Sequence, residues 1–116
     1  IILVDVWGIW CNPCKEALSK SEELYERLKD YDIVYMYFAN RSPEQAWKNV
    51  INEYNVHGDN VEHYNLPSEQ QSALEGYLRV AAYPSYRLVD RNGELLEVNA
   101  SPHDIDAFER MLKKLQ

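Results

Sequence analysis

Val4-Asp5-Val6-Trp7-Gly8-Ile9-Trp10-Cys11-Asn12-Pro13-Cys14-Lys15 is the stretch on which the reading of this sequence turns. Ile1–Trp7 is apolar and rich in β-branched residues, interrupted only by Asp5, as expected of a strand buried on both faces of a sheet. Two cysteines separated by two residues follow, and from Asn12 the composition becomes that of a helix. Lys15, Glu16, Ala17, Leu18, Glu22, Glu23, Leu24 and Leu28 are good helix formers. One helix is therefore predicted over 12–30, with Leu18, Leu24 and Leu28 on its apolar face. The cysteine pair stands at the junction between strand and helix. There the unpaired N–H groups and the positive end of the helix dipole favour a thiolate over a thiol. Cys11, before the first turn, is expected to have a depressed pKa and to act as nucleophile. Pro13 fits the first turn without removing a needed hydrogen bond. Cys14, one turn on, faces back towards Cys11 and can close a disulfide with it. Exchange with a substrate would pass through a mixed disulfide at Cys11, resolved by Cys14.

Other roles for the pair have less behind them. A purely structural disulfide across so short a loop constrains the unfolded chain little. Zinc needs two ligands besides two thiolates, and His57, His63 and His103 lie at no compact spacing from the cysteines. Covalent haem attachment wants a histidine directly after Cys14, where Lys15 stands. Redox exchange without a bound cofactor or metal is the favoured reading.

Outward from this stretch, strands and helices alternate. Ile33–Asn40 is a second strand. Ser42, Pro43 and Gln45 make a capping signature, with Ser42 as N-cap of a helix running to about Tyr54. Asn55–Asn60 carries turn residues, Val61–Asn65 is a short strand, and Pro67 opens a helix through about Leu78. Ser85–Asp90 is a strand, Arg91-Asn92-Gly93 a tight turn, and Glu94–Asn99 its antiparallel partner. Ser101, Pro102 and Asp104 repeat the capping signature, and Ile105, Phe108, Leu112 and Leu115 give a helical stripe to the C-terminus. The order is β-α-β-α-β-α-β-β-α. The alternating front half predicts parallel strands with right-handed crossovers, to which the hairpin adds an antiparallel edge. The result is one α/β domain over residues 1–116, with helices on both faces of a mixed sheet. Because the chain opens inside a strand, it reads as a domain cut from a longer protein.

Composition sets the outer bounds. The chain has 116 residues, 46% hydrophobic and 27% charged, the balance of an ordinary globular domain. Its longest apolar runs, Ile1–Val4 and Ile33–Phe38, are strand-length, far short of the ~20 residues of a membrane-spanning helix. With 12 Lys and Arg against 19 Asp and Glu, the net charge of −7 argues against nucleic acid or an anionic membrane as partner.

Two further residues stand out. Asp5 is a carboxylate in mid-strand, costly to bury unless paired. Burial would raise its pKa, so that near neutral pH it takes or gives a proton beside Cys14, directly or through water. The alternative is that Asp5 points to a solvated edge. Pro84, in Tyr83-Pro84, is either an ordinary strand-start proline or a cis proline in a tight turn.

Taken together, Val4–Lys15 resembles the active-site segment of thioredoxin-fold proteins, and Leu78–Gly93 resembles their cis-proline strand and following hairpin. The helix-strand-helix insert between Asn40 and Tyr83 is similar to the TlpA/ResA-like branch of extracytoplasmic thiol–disulfide oxidoreductases. The resemblance implies roles. Cys11 would attack, Cys14 would resolve, and the two would form the redox-active disulfide. Trp10 would flank it. Asp5 falls at the buried proton-transfer acid. Pro84 would be cis and packed against the disulfide, with the Tyr83 backbone pairing to an extended substrate as an added strand. Implied partners are protein or peptide disulfides and an upstream dithiol electron donor. The implied location is extracytoplasmic, in the manner of periplasmic proteins, with any membrane tether upstream of Ile1.

The chain also departs from the pattern. Asn12-Pro13 replaces Gly-Pro, with no cation between the cysteines, which leans towards a reducing couple. Ser19 stands where many relatives have a helix-kinking proline, and Tyr83 is bulkier than the usual residue before the cis proline. The leading expectation is a reductant of extracytoplasmic protein disulfides. The alternatives are a disulfide oxidase or isomerase, and a thioredoxin-fold binding module without catalysis.

Overall fold

In the computed structural model, which describes residues 1–96 and 101–115, the strand Ile2–Trp7 (β1) forms the middle of the sheet. Val34–Ala39 (β2) lies parallel to it on one side, followed by Val61–Tyr64 (β3), also parallel. On the other side Ser85–Val89 (β4) runs antiparallel to β1, and Leu95–Leu96 (β5) antiparallel to β4. The five-stranded order is β3-β2-β1-β4-β5. A central strand has two faces to bury, and β1 does so. Leu3 and Trp7 join one apolar cluster, while Val4 and Val6 join another with Leu78. On β2 only one face is sealed, and burial alternates along it.

The helices follow from this order. The crossovers from β1 to β2 and from β2 to β3 step in the same direction, so right-handedness puts their helices on the same face. These are Asn12–Leu18 (α1), Ser21–Arg27 (α2) and Glu44–Glu53 (α3). Leu18, Leu24 and Ile51 accordingly share the larger cluster with Phe108 and Leu112 of Ile105–Leu115 (α5). Ser68–Tyr77 (α4), on the return from β3 to β4, packs Leu74 into the cluster on the opposite face. The mixed sheet with helices on both faces and the inserted helix-strand-helix segment is a thioredoxin-like fold, as the sequence predicts.

Three details differ from the sequence reading, and a fourth lies beyond the described residues. The single helix predicted over 12–30 is two. The Ser19 hydroxyl donates to Glu16 O at 2.5 Å, and the Lys20 N–H reaches back only to Ala17 O, so the helix tightens and restarts at Ser21. Ser42 does not cap α3. Pro43 holds the N-cap position without a side-chain bond, and Ser42 turns inward. Asp104, not Ser101, starts α5: its Oδ1 accepts from Ala107 N at 3.1 Å, the third residue of the helix. The hairpin partner is described over Leu95–Leu96 only, and its predicted continuation through 97–99 lies outside the described residues. The turn itself has the expected chemistry, with Gly93 at φ +82° and Asp90 Oδ1 accepting from the N–H groups of Asn92 and Glu94.

Candidate active site

Register brings three loops to one end of the sheet. Trp7 closes β1 beside Ala39, the last residue of β2, and Val6 pairs with Ser85, the first residue of β4. The segments 8–11, 40–42 and 83–84 therefore converge at the carboxyl ends of the parallel strands.

Cys11 is the N-cap residue of α1, in extended conformation with φ −104° and ψ 106°. Its sulfur accepts from the Cys14 N–H at 3.2 Å, one of the donors that a helix start leaves without an intrahelical partner. The two cysteines form a disulfide with Cα atoms 5.2 Å apart. Cys11 is 5% exposed and Cys14 1%, so an incoming group meets Cys11 first. The Tyr83–Pro84 peptide is cis.

Trp10 is 44% exposed and is held in place from several sides. Its indole N–H donates to Asn40 O at 2.9 Å, its ring meets Tyr83 edge to face at 5.0 Å, and the Arg41 guanidinium sits 4.8 Å from the ring centre. Gly8 makes this seat possible, since a Cβ there would fall on the indole.

Below the first loop, buried Ser42 acts as a latch. Its hydroxyl accepts from Ile9 N at 3.2 Å and donates to Asn40 O at 3.0 Å, and its carbonyl accepts from Asn65 Nδ2 at 2.7 Å. Ser42→Ala strands the Ile9 N–H next to the cysteines. It should cost about 1–2 kcal/mol of stability in urea unfolding. A loss within experimental error would show that the hydroxyl bonds carry no net stability.

Asp5 is buried, 7% exposed, on the same face of β1 as Leu3 and Trp7. Its register partners are Tyr37 on β2 and Tyr86 on β4. Oδ1 has no hydrogen-bond partner, and burial raises the carboxyl from 3.8 to about 8. A cavity of about 20 Å³ opens beside it, lined also by Leu18, Ser21, Tyr37, Tyr86 and His103, with room for about one water molecule. The solvated-edge reading of Asp5 is thereby overturned. Phenols crowd the same region. Tyr25 and Tyr37 share a hydroxyl–hydroxyl bond at 2.5 Å, and burial pushes Tyr25 up to about 12 and Tyr37 well above its ordinary value. Among the described residues no three His, Cys, Asp or Glu side chains converge as metal ligands.

A family model described as thioredoxin-like matches residues 1–95. The chain belongs to the thioredoxin-like family. The thiol-disulfide oxidoreductase ResA of Bacillus thuringiensis (strain Al Hakam) is 23% identical over 114 residues, which is 98% of this chain. This chain spans 62% of that relative's length. The solution structure of a thiol:disulfide interchange protein from Bacteroides sp. superposes with a TM-score of 0.79 at 19% identity, covering 97% of this chain and 72% of that one. The exposed lipoprotein thioredoxin of Streptococcus pneumoniae strain TIGR4 gives a TM-score of 0.69 at 22% identity, over 98% of this chain and 84% of that one. At these identities the solved structures speak for the fold.

In this thioredoxin-like chain, Cys11, Cys14, Trp10, Tyr83 and Pro84 gather at one end of the sheet, and Asp5 lies deeper on β1. Sequence reasoning passed over the Ser42 latch, Arg41, and the pair Gln71 and Glu75 on α4. Arg41 had a signal only in hindsight: its φ of +44° follows a strand end, where a turn is expected. Glu75 had none, because it reaches the site through tertiary packing, with Asn40 Nδ2, Gln71 Nε2 and the Tyr83 hydroxyl all donating to its carboxylate.

Proposed function

We propose that this chain, as a single thioredoxin-like domain, is a thiol–disulfide oxidoreductase that reduces protein disulfides outside the cytoplasm. The observation that carries the reading is the Cys11–Cys14 disulfide closed across a helix N-cap, with a donor N–H on the more accessible sulfur. In the reduced form, the Cys11 thiolate attacks a substrate sulfur and forms a mixed disulfide. Cys14 gives up its proton and attacks Cys11, releasing the substrate thiol and restoring the disulfide. Asp5 serves as acceptor of that proton. The Tyr83 backbone pairs with the substrate strand, while Trp10 covers one flank. A separate dithiol returns the electrons, and no bound cofactor is required.

The reducing direction is favoured by the neutral Asn12-Pro13 pair between the cysteines. The resemblance to ResA and to an exposed lipoprotein thioredoxin supports an extracytoplasmic setting.

Equilibration against dithiol buffers, followed by Trp10 fluorescence, tests the direction. The couple is expected at roughly −270 to −220 mV. A potential near −180 to −120 mV would replace reductase with isomerase or oxidase.

A further inference from the structure

Beside Trp10 and Tyr83 lies an open cleft of about 430 Å³, bordered by Asn40, Arg41, Ser42, Gln71, Glu75 and Tyr83. It is roomy enough for one long side chain, and its edge is continuous with the site. The Tyr83 ring touches Trp10 on one side, while its hydroxyl donates to Glu75 on the other. A substrate strand paired at the Tyr83 backbone sends alternate side chains to opposite faces, so one row passes the cleft.

The cleft's chemistry is that of an acceptor. Glu75 is half-buried and holds three donors, all neutral: Asn40 Nδ2 at 2.6 Å, Gln71 Nε2 at 2.8 Å and the Tyr83 hydroxyl. None of the ion pairs among the described residues involves it. Gln71 is only 3% exposed, and its Oε1 is buried without a partner. A native fold seldom leaves such an acceptor idle. Arg41 also borders the cleft, but its guanidinium lies over the Trp10 ring and its Nε donates to Asn40 Oδ1 at 2.8 Å. Its charge is engaged on the Trp10 side, leaving the carboxylate without a cation. The net charge of −7 draws basic partners towards the whole molecule.

We propose that this cleft is a specificity pocket that takes a lysine or arginine side chain of the partner, its cation pairing with Glu75 while Cys11 attacks the neighbouring disulfide. The proposal rests on the exchange reading above. It makes the insert, through α4, the part of the fold that selects substrates.

The test uses three peptides, each with one cysteine linked by a disulfide to a chromogenic thiol. They differ only at the residues two places either side of that cysteine, which are both lysine, both norleucine or both glutamate. The reduced protein attacks the peptide sulfur, the chromogenic thiolate leaves, and Cys14 then releases the peptide thiol. The lysine peptide should react about fivefold faster than the norleucine peptide in kcat/KM, the yield of one partly exposed ion pair, and the glutamate peptide slowest. In Glu75→Gln the ratio of lysine to norleucine rates should fall to near one. Equal rates for the three peptides, a preference for glutamate, or a lysine preference that survives Glu75→Gln would each overturn the pocket and leave exchange standing. Failure to react with any peptide or with a small neutral disulfide would overturn the exchange reading, and the pocket with it.

Discussion

Cys11→Ser is expected to reduce disulfide exchange to the uncatalysed rate, and Cys14→Ser to leave the first attack intact but stop the reaction at a covalent adduct. The asymmetry follows from the geometry. Cys11 is the more exposed sulfur and the one that accepts the Cys14 N–H, so the electron pair that attacks is stabilised there. A serine hydroxyl in that place is not ionised near neutral pH and is a poor nucleophile towards sulfur. Cys14 is sealed beneath, 1% exposed, and reaches only a sulfur already joined to Cys11. Without it, the mixed disulfide has no internal thiol to resolve it. Incubating each variant with an oxidised protein substrate and separating the products without reductant reads both outcomes. An adduct that accumulates on Cys11→Ser instead, or turnover by that variant, would reverse the assignment of the two sulfurs.

Much of this was legible because it is local. The strand Ile2–Trp7, the break to helix at Asn12 and the position of Cys11 before the first turn depend on residues close in sequence, where propensity and capping act. Asp5 announced itself by being a charge where its neighbours are apolar. The failures have a common cause as well. Ser19 reads as a tolerable helix residue, and only the competition of its hydroxyl for the Glu16 carbonyl splits α1 from α2. Ser42 suits a cap by sequence because Pro43 follows it and Gln45 stands three residues on. In the fold its hydroxyl has a stronger demand to meet, the Ile9 N–H across 33 positions of chain. Gln71 and Glu75 could not be found at all, since nothing in an exposed-looking helix says that one of its faces will close against Asn40 and Tyr83.

The same contrast explains how the site is built. Thiol chemistry is fixed by a short segment that any strand-to-helix junction can hold. On the specificity reading, selection falls to segments distant in sequence, the loop 40–42 and α4, which are joined through Asn40, Glu75 and Tyr83. A domain made this way can change its substrates through the insert without disturbing the disulfide, and Glu75 is a residue at which such a change would register.

Asp5→Asn should stabilise the protein at alkaline pH and change little in acid. The native carboxyl titrates at about 8, against 3.8 for its ordinary value, because burial disfavours the charged form. Below about pH 4 the acid is protonated in both the folded and the unfolded chain, and it contributes no pH dependence. As pH rises through 3.8 the unfolded carboxyl ionises while the folded one keeps its proton. Stability therefore falls steadily until about pH 8, where the folded acid ionises too and the loss levels off. At about 1.4 kcal/mol per pH unit between 3.8 and about 8, the ceiling on that loss is on the order of 6 kcal/mol. Asparagine has a similar shape and does not titrate, so the variant escapes the loss. The difference between the two proteins also cancels the contribution of His63, whose pKa burial lowers in both. Urea midpoints measured from pH 4 to pH 9 should diverge, with the variant ahead and the gap widest above pH 8. The same substitution should remove the rise of the resolving step through pH 8, since no carboxylate remains to take the Cys14 proton. Parallel stability curves would mean that the acid titrates as an ordinary aspartate, and the proton transfer assigned to it would fall with its raised pKa.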